Sequence, residues 1–165
     1  MSLFVPPIYS NLISKSPLLE RLRLRGCTNF DTLEIDDVNL KYFELHGKSK
    51  SISFKNTPML KKVTLYSVGP LLTDPSPVCS NLTKFFYYMP SLLELSQGGS
   101  TLEYLTKRGV PESPPTALSN IKSLSLSSMS LRNVEVILGA VYLITSCPKL
   151  QNLTVECVST LLFSH

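Results

Sequence analysis

A short apolar pattern, L-x-x-L-x-L, recurs along the 165 residues and constrains the fold more than any other feature of the sequence. It is clearest at Leu19, Leu22 and Leu24, and it returns with conservative replacements from positions 40, 60, 121 and 150. Units that keep only the first two apolar positions begin at 92 and 102. Successive starts are therefore 21, 20, 32, 10, 19 and 29 residues apart. A repeated unit of this kind indicates an array of similar coils.

The last three residues of each unit, L-x-L, predict a short strand. In an extended chain alternate side chains point to opposite sides, so Leu22 and Leu24 face inward and Arg23 faces outward. One such strand cannot bury its apolar side alone, but stacked coils share a core and pair their strands in a parallel sheet. Periods of about 20–29 residues with this pattern are typical of leucine-rich repeats. The sequence thus predicts an α/β leucine-rich-repeat solenoid with a parallel sheet.

The two halves of the chain differ in the segments that connect the predicted strands. Weaker units at 30–35 and 49–54 lie between the stronger units of the first half. They predict strand-rich, two-sided coils that are almost free of helix from 22 to 66. In the second half, segments 80–89 and 131–146 have helical apolar spacing and predict helices on the convex side. A further helix is predicted to end at 11–15, and loops are predicted at 70–77 and 110–115.

Proline marks the entry to four of the units, two residues before the first apolar position. It stands at Pro17, Pro58, Pro90 and Pro148. Because proline disfavours helix for the residue before it, we expect each one to separate a connecting segment from the strand that follows. Segments 11–24 and 142–155 match over fourteen positions in this order of helix end, proline and strand. The match supports the repeat.

Composition and charge exclude several classes of protein. Hydrophobic residues make up 43% of the chain and the formal net charge is +4, which is unlike a disordered chain. The longest apolar run has nine residues, 136–144, whereas a membrane-spanning helix needs about 20. The four cysteines contain no C-x-x-C pair, so neither a zinc site nor a disulfide framework is indicated. We interpret them as reduced, mostly buried thiols of an intracellular protein, and we predict no membrane contact, metal or cofactor.

Catalytic chemistry has few candidate residues in this sequence. Of the two histidines, His165 is the last residue and His46 precedes Gly47, so we interpret His46 as a turn residue rather than a base. The acidic pair Asp36 and Asp37 is interpreted as a solvated turn. The Gly-rich segment 98–101 lacks the lysine of a phosphate-binding loop. No enzyme is predicted.

Nucleic acid is the first binding partner to consider, because Arg21, Arg23 and Arg25 alternate along the outward side of one predicted strand. Acidic residues on neighbouring coils, including Glu20 and Glu44, give the predicted sheet mixed charge signs rather than a basic stripe. Nucleic acid is therefore not predicted as the partner. A local role of the arginines in gripping an acidic peptide stays open.

Protein recognition is the remaining class, since a solenoid exposes a concave sheet whose outward positions are free to vary. Arg and aromatic side chains are favoured anchors of interfaces, so Arg23, Arg25 and Tyr66 are the strongest candidates. The alternative for each is an ordinary exposed strand residue. The aromatic run 85–88 is expected to be half core, with one side exposed. The candidate protein-binding residues on the concave sheet are Arg23, Arg25, Glu44, Thr64, Tyr66, Glu94, Ser125, Thr154 and Glu156.

Longer stretches of the sequence resemble one protein family. The runs SPLLERLRLRGC at 16–27, NLKYFELHG at 39–47 and SISFKNTPMLKKV at 51–63 are similar to the leucine-rich region of plant F-box/FBD/LRR-repeat proteins. The run LSNIKSLSL at 118–126 follows in the order of that family. The resemblance implies a non-catalytic substrate-recognition module of a Skp–cullin–F-box ubiquitin ligase. Such a module would bind an unknown protein substrate in the nucleus or the cytoplasm.

Two segments of the family have no counterpart in the sequence. The family's F-box opens with a Leu-Pro pair before the repeats, and its FBD segment follows them. We therefore expect 1–165 to form a single leucine-rich-repeat domain taken from a longer architecture, with 1–10 poorly ordered. A Skp adaptor is then a predicted partner only if an F-box is present elsewhere. The alternative is a truncated fragment without ligase recruitment, either non-functional or a competitive binder of the substrate.

Overall fold

The structure is a computed structural model that describes residues 16–66, 81–107 and 109–158. The predictions for 1–10, 11–15 and 70–77 lie outside these described residues. The elements in chain order are β1 (Arg21–Asp36), β2 (Tyr42–Lys55), β3 (Lys62–Tyr66), α1 (Asn81–Phe86), β4 (Glu94–Gly98), α2 (Gly99–Thr106), a 3-10 helix (Thr116–Asn120), β5 (Ser123–Met129), α3 (Val134–Thr145) and β6 (Asn152–Cys157).

The described strands form one six-stranded sheet in which every neighbouring pair is parallel and spatial order equals chain order. The predicted α/β class with a parallel sheet is confirmed, and this topology is compatible with a leucine-rich-repeat-like fold. The register aligns the predicted inward positions in two rows. One row runs Leu22, Phe43, Val63, Leu95, Leu124 and Leu153, and the other runs Leu24, Leu45, Leu65, Gln97, Leu126 and Val155.

One hydrogen-bond arrangement recurs at the entry to the strands. The carbonyl oxygen of Lys41, just before β2, accepts from the backbone N–H groups of Lys61 and Lys62 at 2.8 and 3.2 Å. The carbonyls at positions 20, 61, 93 and 122 accept the corresponding pair of N–H groups from the next strand. The start of each strand is therefore joined to the next in the same way, although the segments between the strands differ in length.

The four prolines before the strands lie in tight turns. The Leu60 N–H donates to the Thr57 carbonyl at 3.3 Å, which makes Pro58 the second residue of a turn. The same bond closes the turns that contain Pro17, Pro90 and Pro148. The fixed φ of proline suits this second position. The prediction that proline marks the strand entry is confirmed.

The first half is rich in strand, as predicted. β1 and β2 are 16 and 14 residues long, and their pairing continues past register shifts near Cys27. Beyond those shifts Leu33 pairs with Ile52 and Ile35 pairs with Phe54, and all four are buried. Residues 16–66 contain no helix.

Helices connect the strands of the second half. α1 and α3 lie within the predicted segments 80–89 and 131–146, and 110–115 is a loop, so these predictions are confirmed. The Asn133 side chain caps α3 by accepting from the N–H groups of Glu135 and Val136 at 3.1 and 3.3 Å. None of the described helices is long and apolar enough to cross a membrane.

The interpretation of position 102 as the start of a coil is wrong. Leu102 and Leu105 belong to helix α2 and are fully buried. The error has a physical cause, because a spacing of three residues is shared by the first two positions of the repeat and by one face of a helix. The seven predicted coil starts therefore correspond to six strands in the described residues.

A line of aromatic rings joins the two halves inside the core. The Phe54 ring lies 5.3 Å from that of Phe43 and 5.4 Å from that of Phe85, and Phe85 lies 4.9 Å from Phe86, all nearly perpendicular. Tyr87 and Tyr88 in the same run are exposed. The prediction that the run 85–88 is half core is confirmed.

The core thins at β6. Leu153 and Val155 take the inward positions of that strand, yet each is 46% exposed, whereas Leu126 on the neighbouring strand β5 is fully buried. In a stack of repeats, an inward side chain is covered by the neighbouring units on both sides. Within the described residues β6 has a neighbouring strand, β5, on one side alone.

The described cysteines are free thiols with different exposure. Cys147 is buried, and its burial raises the pKa of the thiol to about 11. Cys27 is partly exposed and Cys157 is exposed, so the prediction of mostly buried cysteines is wrong for these two. Cys157 is exposed for the same reason as its neighbours on β6. Cys79 lies outside the described residues.

Candidate functional site

The side of the sheet that points away from the core, called the outer face below, carries all nine predicted binding residues. The register places them in rows across the strands. The first row runs Arg21, Tyr42, Lys62, Glu94, Ser123 and Asn152. The second row runs Arg23, Glu44, Thr64, Ser96, Ser125 and Thr154. A third row begins Arg25, His46 and Tyr66, with Ser127 and Glu156 farther along the sheet.

Thr64 departs from the expected accessibility. It points to the outer face, as predicted, but it is only 8% exposed. Its short side chain lies between the longer ones of Lys62 and Tyr66 on its own strand and beside Glu44 on β2. Thr64 therefore forms part of the floor of the surface and offers little contact area of its own.

Glu44 is the centre of the charged cluster on this face. Its carboxylate oxygens lie 3.2 Å from Arg23 Nε and 3.0 Å from Arg25 Nη2, and Arg25 Nε donates to it at 3.3 Å. Partial burial raises the pKa of Glu44, but the hydrogen bonds and charges of the surrounding Arg25, His46 and Arg23 outweigh it. The net pKa lies below the ordinary value. Glu44 is therefore ionised at neutral pH and holds two arginines in place.

His46 belongs to this cluster, so its interpretation as a turn residue is wrong. Its Nε2 lies 2.7 Å from Glu44 Oε1, and its ring centroid is 4.7 Å from that of Tyr66. The strand does not end at His46, because β2 continues through Gly47, which pairs with Cys27. Alternation with Glu44 along an extended chain was the signal that could have placed His46 on the outer face.

Arg21 and Tyr42 extend the surface and were not among the predicted residues. The Arg21 guanidinium carbon lies 4.7 Å from the centroid of the Tyr42 ring, within cation–π distance. The two side chains border a depression of about 240 Å³, which Arg23, Glu44 and Lys62 also line. Arg21 could have been found from the sequence, since it alternates with Arg23 and Arg25.

The outer face of the second half is built differently. Its outward positions on β4 and β5 are mostly serines, including Ser96, Ser125 and Ser127. The predicted Glu94 forms an ion pair with Lys62 at 3.2 Å, on the boundary between the two parts. Thr154 and Glu156 are exposed on β6. The nine predicted residues are therefore not one cluster: Arg23, Arg25, Glu44, Thr64 and Tyr66 lie together on β1–β3, and the others lie apart.

The described part of the outer face offers recognition chemistry. It combines guanidinium groups, an imidazole, two tyrosine rings and small hydroxyls. Within the described residues, no group of three His, Cys, Asp or Glu side chains is placed to hold a metal ion. Arg and Tyr side chains on a rigid sheet are suited to contact a protein partner.

A comparison with known proteins points in the same direction. The chain is 31% identical over 158 residues to an F-box/FBD/LRR-repeat protein of Arabidopsis thaliana. The match covers 93% of this chain and 37% of that relative, so the chain spans well under half of the relative's length. No protein-family model matches the chain, and no solved structure matches it. The similarity supports a relationship to plant F-box and leucine-rich-repeat proteins and favours a role in protein interaction.

Proposed function

We propose that the chain is a leucine-rich-repeat solenoid of the F-box/FBD/LRR-repeat family and that it binds a protein substrate through the outer face of β1–β3. The observation that carries the proposal is a cluster on a parallel sheet in which Arg21, Arg23 and Arg25 are exposed and His46 and Tyr66 are partly exposed. The similarity to the Arabidopsis relative over most of the chain supports the same role.

The solenoid architecture is supported by the way the coils are joined. The same two backbone hydrogen bonds precede β2, β3, β4, β5 and β6, although the coils between them differ in length and content. Repeats that contact only their neighbours give a quasi-one-dimensional structure with an extended binding surface. No helix of the described residues covers the outer face of the sheet, because the helices contribute to the core on the opposite side.

The module has a non-catalytic role under this proposal. The repeats would hold the substrate in the nucleus or the cytoplasm, while an F-box in the same protein would bind the Skp adaptor of the ubiquitin ligase. Substrate recognition then depends on the side chains of the outer face. Delivery for ubiquitination depends on a different part of the protein.

The first test measures binding by the outer face. A random peptide library displayed on phage is selected against the wild-type chain, and the selected peptides are tested on an Arg23→Ala/Arg25→Ala/Tyr66→Ala variant. A matched control carries Ser123→Ala, Ser125→Ala and Ser127→Ala. We expect the selected peptides to lose binding to the first variant and to keep binding to the control. Peptides that bind both variants equally would contradict the location of the site.

The second test addresses the ligase role. The protein is tagged at its own chromosomal locus, and its co-precipitation with a Skp adaptor is measured. We expect association with the adaptor. Peptide binding without any adaptor association would instead support the alternative of a competitive substrate binder.

A further inference from the structure

We infer that the outer face of β1–β3 binds an extended acidic protein segment whose Asp or Glu side chains stand at alternate positions. This inference rests on the proposed function and adds the chemistry of the partner to it. Four observations carry it: an excess of cations, free hydrogen-bond donors, the spacing of the arginines and a depression between them.

Positive charge exceeds negative charge on this part of the sheet. Arg23 and Arg25 share the single carboxylate of Glu44. Lys62 is balanced by Glu94 at 3.2 Å. Arg21 makes no ion pair within the described residues and lies over the Tyr42 ring. The cluster therefore retains uncompensated positive charge, which an acidic partner would neutralise.

The arginines keep donors that the folded chain does not use. A guanidinium has five N–H groups, and Arg23 lies 3.2 Å from Glu44 through its Nε. Arg25 uses Nε and Nη2. The side chains of Arg23 and Arg25 are 53% and 66% exposed, so the remaining donors face solvent. Carboxylates accept such donors in short, charge-assisted pairs.

The positions of the arginines fix the spacing of the ligand. Arg21, Arg23 and Arg25 are alternate residues of β1, so neighbouring arginines are about 6.6 Å apart along the strand. An extended peptide places alternate side chains at the same interval. Acidic residues at every second position of the partner therefore match the three arginines.

The depression next to Arg21 gives one acidic side chain a specific place. It has a volume of about 240 Å³, and Arg21, Arg23 and Lys62 contribute cations to its lining. Glu44 also lines it, but that carboxylate is already engaged by Arg23 and Arg25. A carboxylate entering between Arg21 and Lys62 would reach cations from two strands, β1 and β3.

The acidic segment is expected on β1–β3 and not on β4–β6. The outward positions of β5 are Ser123, Ser125 and Ser127, which supply hydroxyls without charge. A nucleic acid fits the surface less well than a peptide does, because Glu44 and Glu94 place carboxylates within the area that a continuous phosphate backbone would cross.

The test uses fluorescence anisotropy with a defined peptide. The probe is a nine-residue peptide with Glu at three alternate positions separated by Thr, and the control peptide has Gln at those three positions. We expect the Glu peptide to bind, the Gln peptide to bind at least about tenfold more weakly, and affinity to fall as salt rises. Equal binding of the two peptides would overturn the inference without depending on any protein variant.

Two variants and one control locate the site. Arg21→Glu/Arg25→Glu is expected to abolish binding of the Glu peptide, whereas Lys55→Glu, a charge reversal at the far end of β2, should leave it unchanged. Glu44→Gln should tighten binding several-fold, because it removes the carboxylate that competes for Arg23 and Arg25. Weaker binding after Glu44→Gln would contradict this competition. Circular dichroism melts confirm that each variant is folded.

The remaining outcomes separate this inference from the proposed function. If the library selection yields peptides without acidic residues that need Arg23, Arg25 and Tyr66, the proposed function stands and the acidic partner is wrong. Tighter binding of a phosphorylated peptide or of single-stranded DNA than of the Glu peptide would also overturn the inference. If neither the library nor the Glu peptide yields binding, both proposals fail.

Discussion

Strands β1–β3 and strands β4–β6 contribute to the same inward rows. They differ in the segments that connect the strands and in the side chains on the outer face. The first half contains no helix from 16 to 66 and carries arginines, a histidine and tyrosines on its outer face. The second half is backed by helices and carries mainly small hydroxyls. The repeat pattern therefore determines the core positions. It leaves the secondary structure of the connecting segments and the side chains of the outer face free to differ.

The number of residues between successive unit starts explains why helices occur in the second half and not in residues 16–66. Without the erroneous start at 102, the steps between the starts are 21 and 20 residues in the first half and 32, 29 and 29 in the second. A strand advances about 3.3 Å per residue and a helix about 1.5 Å, so a helix needs more residues to span the same distance. A short coil can return only as a strand, whereas the longer coils can hold α2 or α3.

The largest expected effect tests whether the two halves share one core. Leu45→Ala in the first half and Leu126→Ala in the second remove fully buried side chains from the same inward row. Each should lower the free energy of unfolding by about 2–5 kcal/mol. Leu153→Ala on β6, at a 46% exposed position, should cost less than about 1.5 kcal/mol. Urea unfolding measures all three, and a small loss for either interior variant would show that the halves unfold separately.

The next effect concerns the close approach of β1 and β2 at Gly47, beside a register shift in their pairing. A Cβ at Gly47 would overlap the carbonyl oxygen of Cys27 on the neighbouring strand. Gly47→Ala should therefore destabilise the chain by about 3 kcal/mol. Gly98→Ala is the control in the second half, because Gly98 is extended and the nearest atom to its Cβ would be 4.0 Å away. Similar melting temperatures for the two variants would contradict the close approach at Gly47.

A smaller effect comes from the one polar residue in the inward rows. Gln97 is fully buried between Leu65 and Leu126, and neither its Nε2 nor its Oε1 has a hydrogen-bond partner within the described residues. A buried polar group without a partner costs about 1–3 kcal/mol. Gln97→Leu should therefore raise the free energy of unfolding by about 1–2 kcal/mol. A loss of stability in the same unfolding measurement would mean that an internal water or another group satisfies the amide.

The smallest effect is expected on the outer face of the second half. Ser125→Ala should change affinity for the Glu peptide by less than about twofold, because loss of an exposed hydroxyl away from the arginines changes the free energy by less than about 0.5 kcal/mol. Anisotropy measures this beside Arg23→Ala, which should weaken binding clearly. A strong effect of Ser125→Ala would extend the site beyond β1–β3 and remove the contrast between the halves.

Much of the sheet could be predicted because its signal is local. The L-x-L alternation placed Leu24 and Leu45 inward and Arg23 outward, since an extended chain has no other way to arrange alternate residues. Helix α2 was missed because Leu102 and Leu105 fit the repeat and a helix equally well. His46 was missed because the strand was taken to end before it. Its alternation with Glu44 could have placed it on the outer face, and pairing with β1 shows that β2 continues past it.

The sequence by itself determined the strand positions, the inward rows, the turns at proline and the contrast between helix-free and helical halves. These follow from the side-chain period of extended chains, the fixed φ of proline and the spacing of apolar residues. Only the tertiary structure decided that Glu44 binds Arg23, Arg25 and His46, that Thr64 is covered and that Gln97 is buried. Those features depend on register between strands some twenty to thirty residues apart in sequence, and the stacking of coils sets that register.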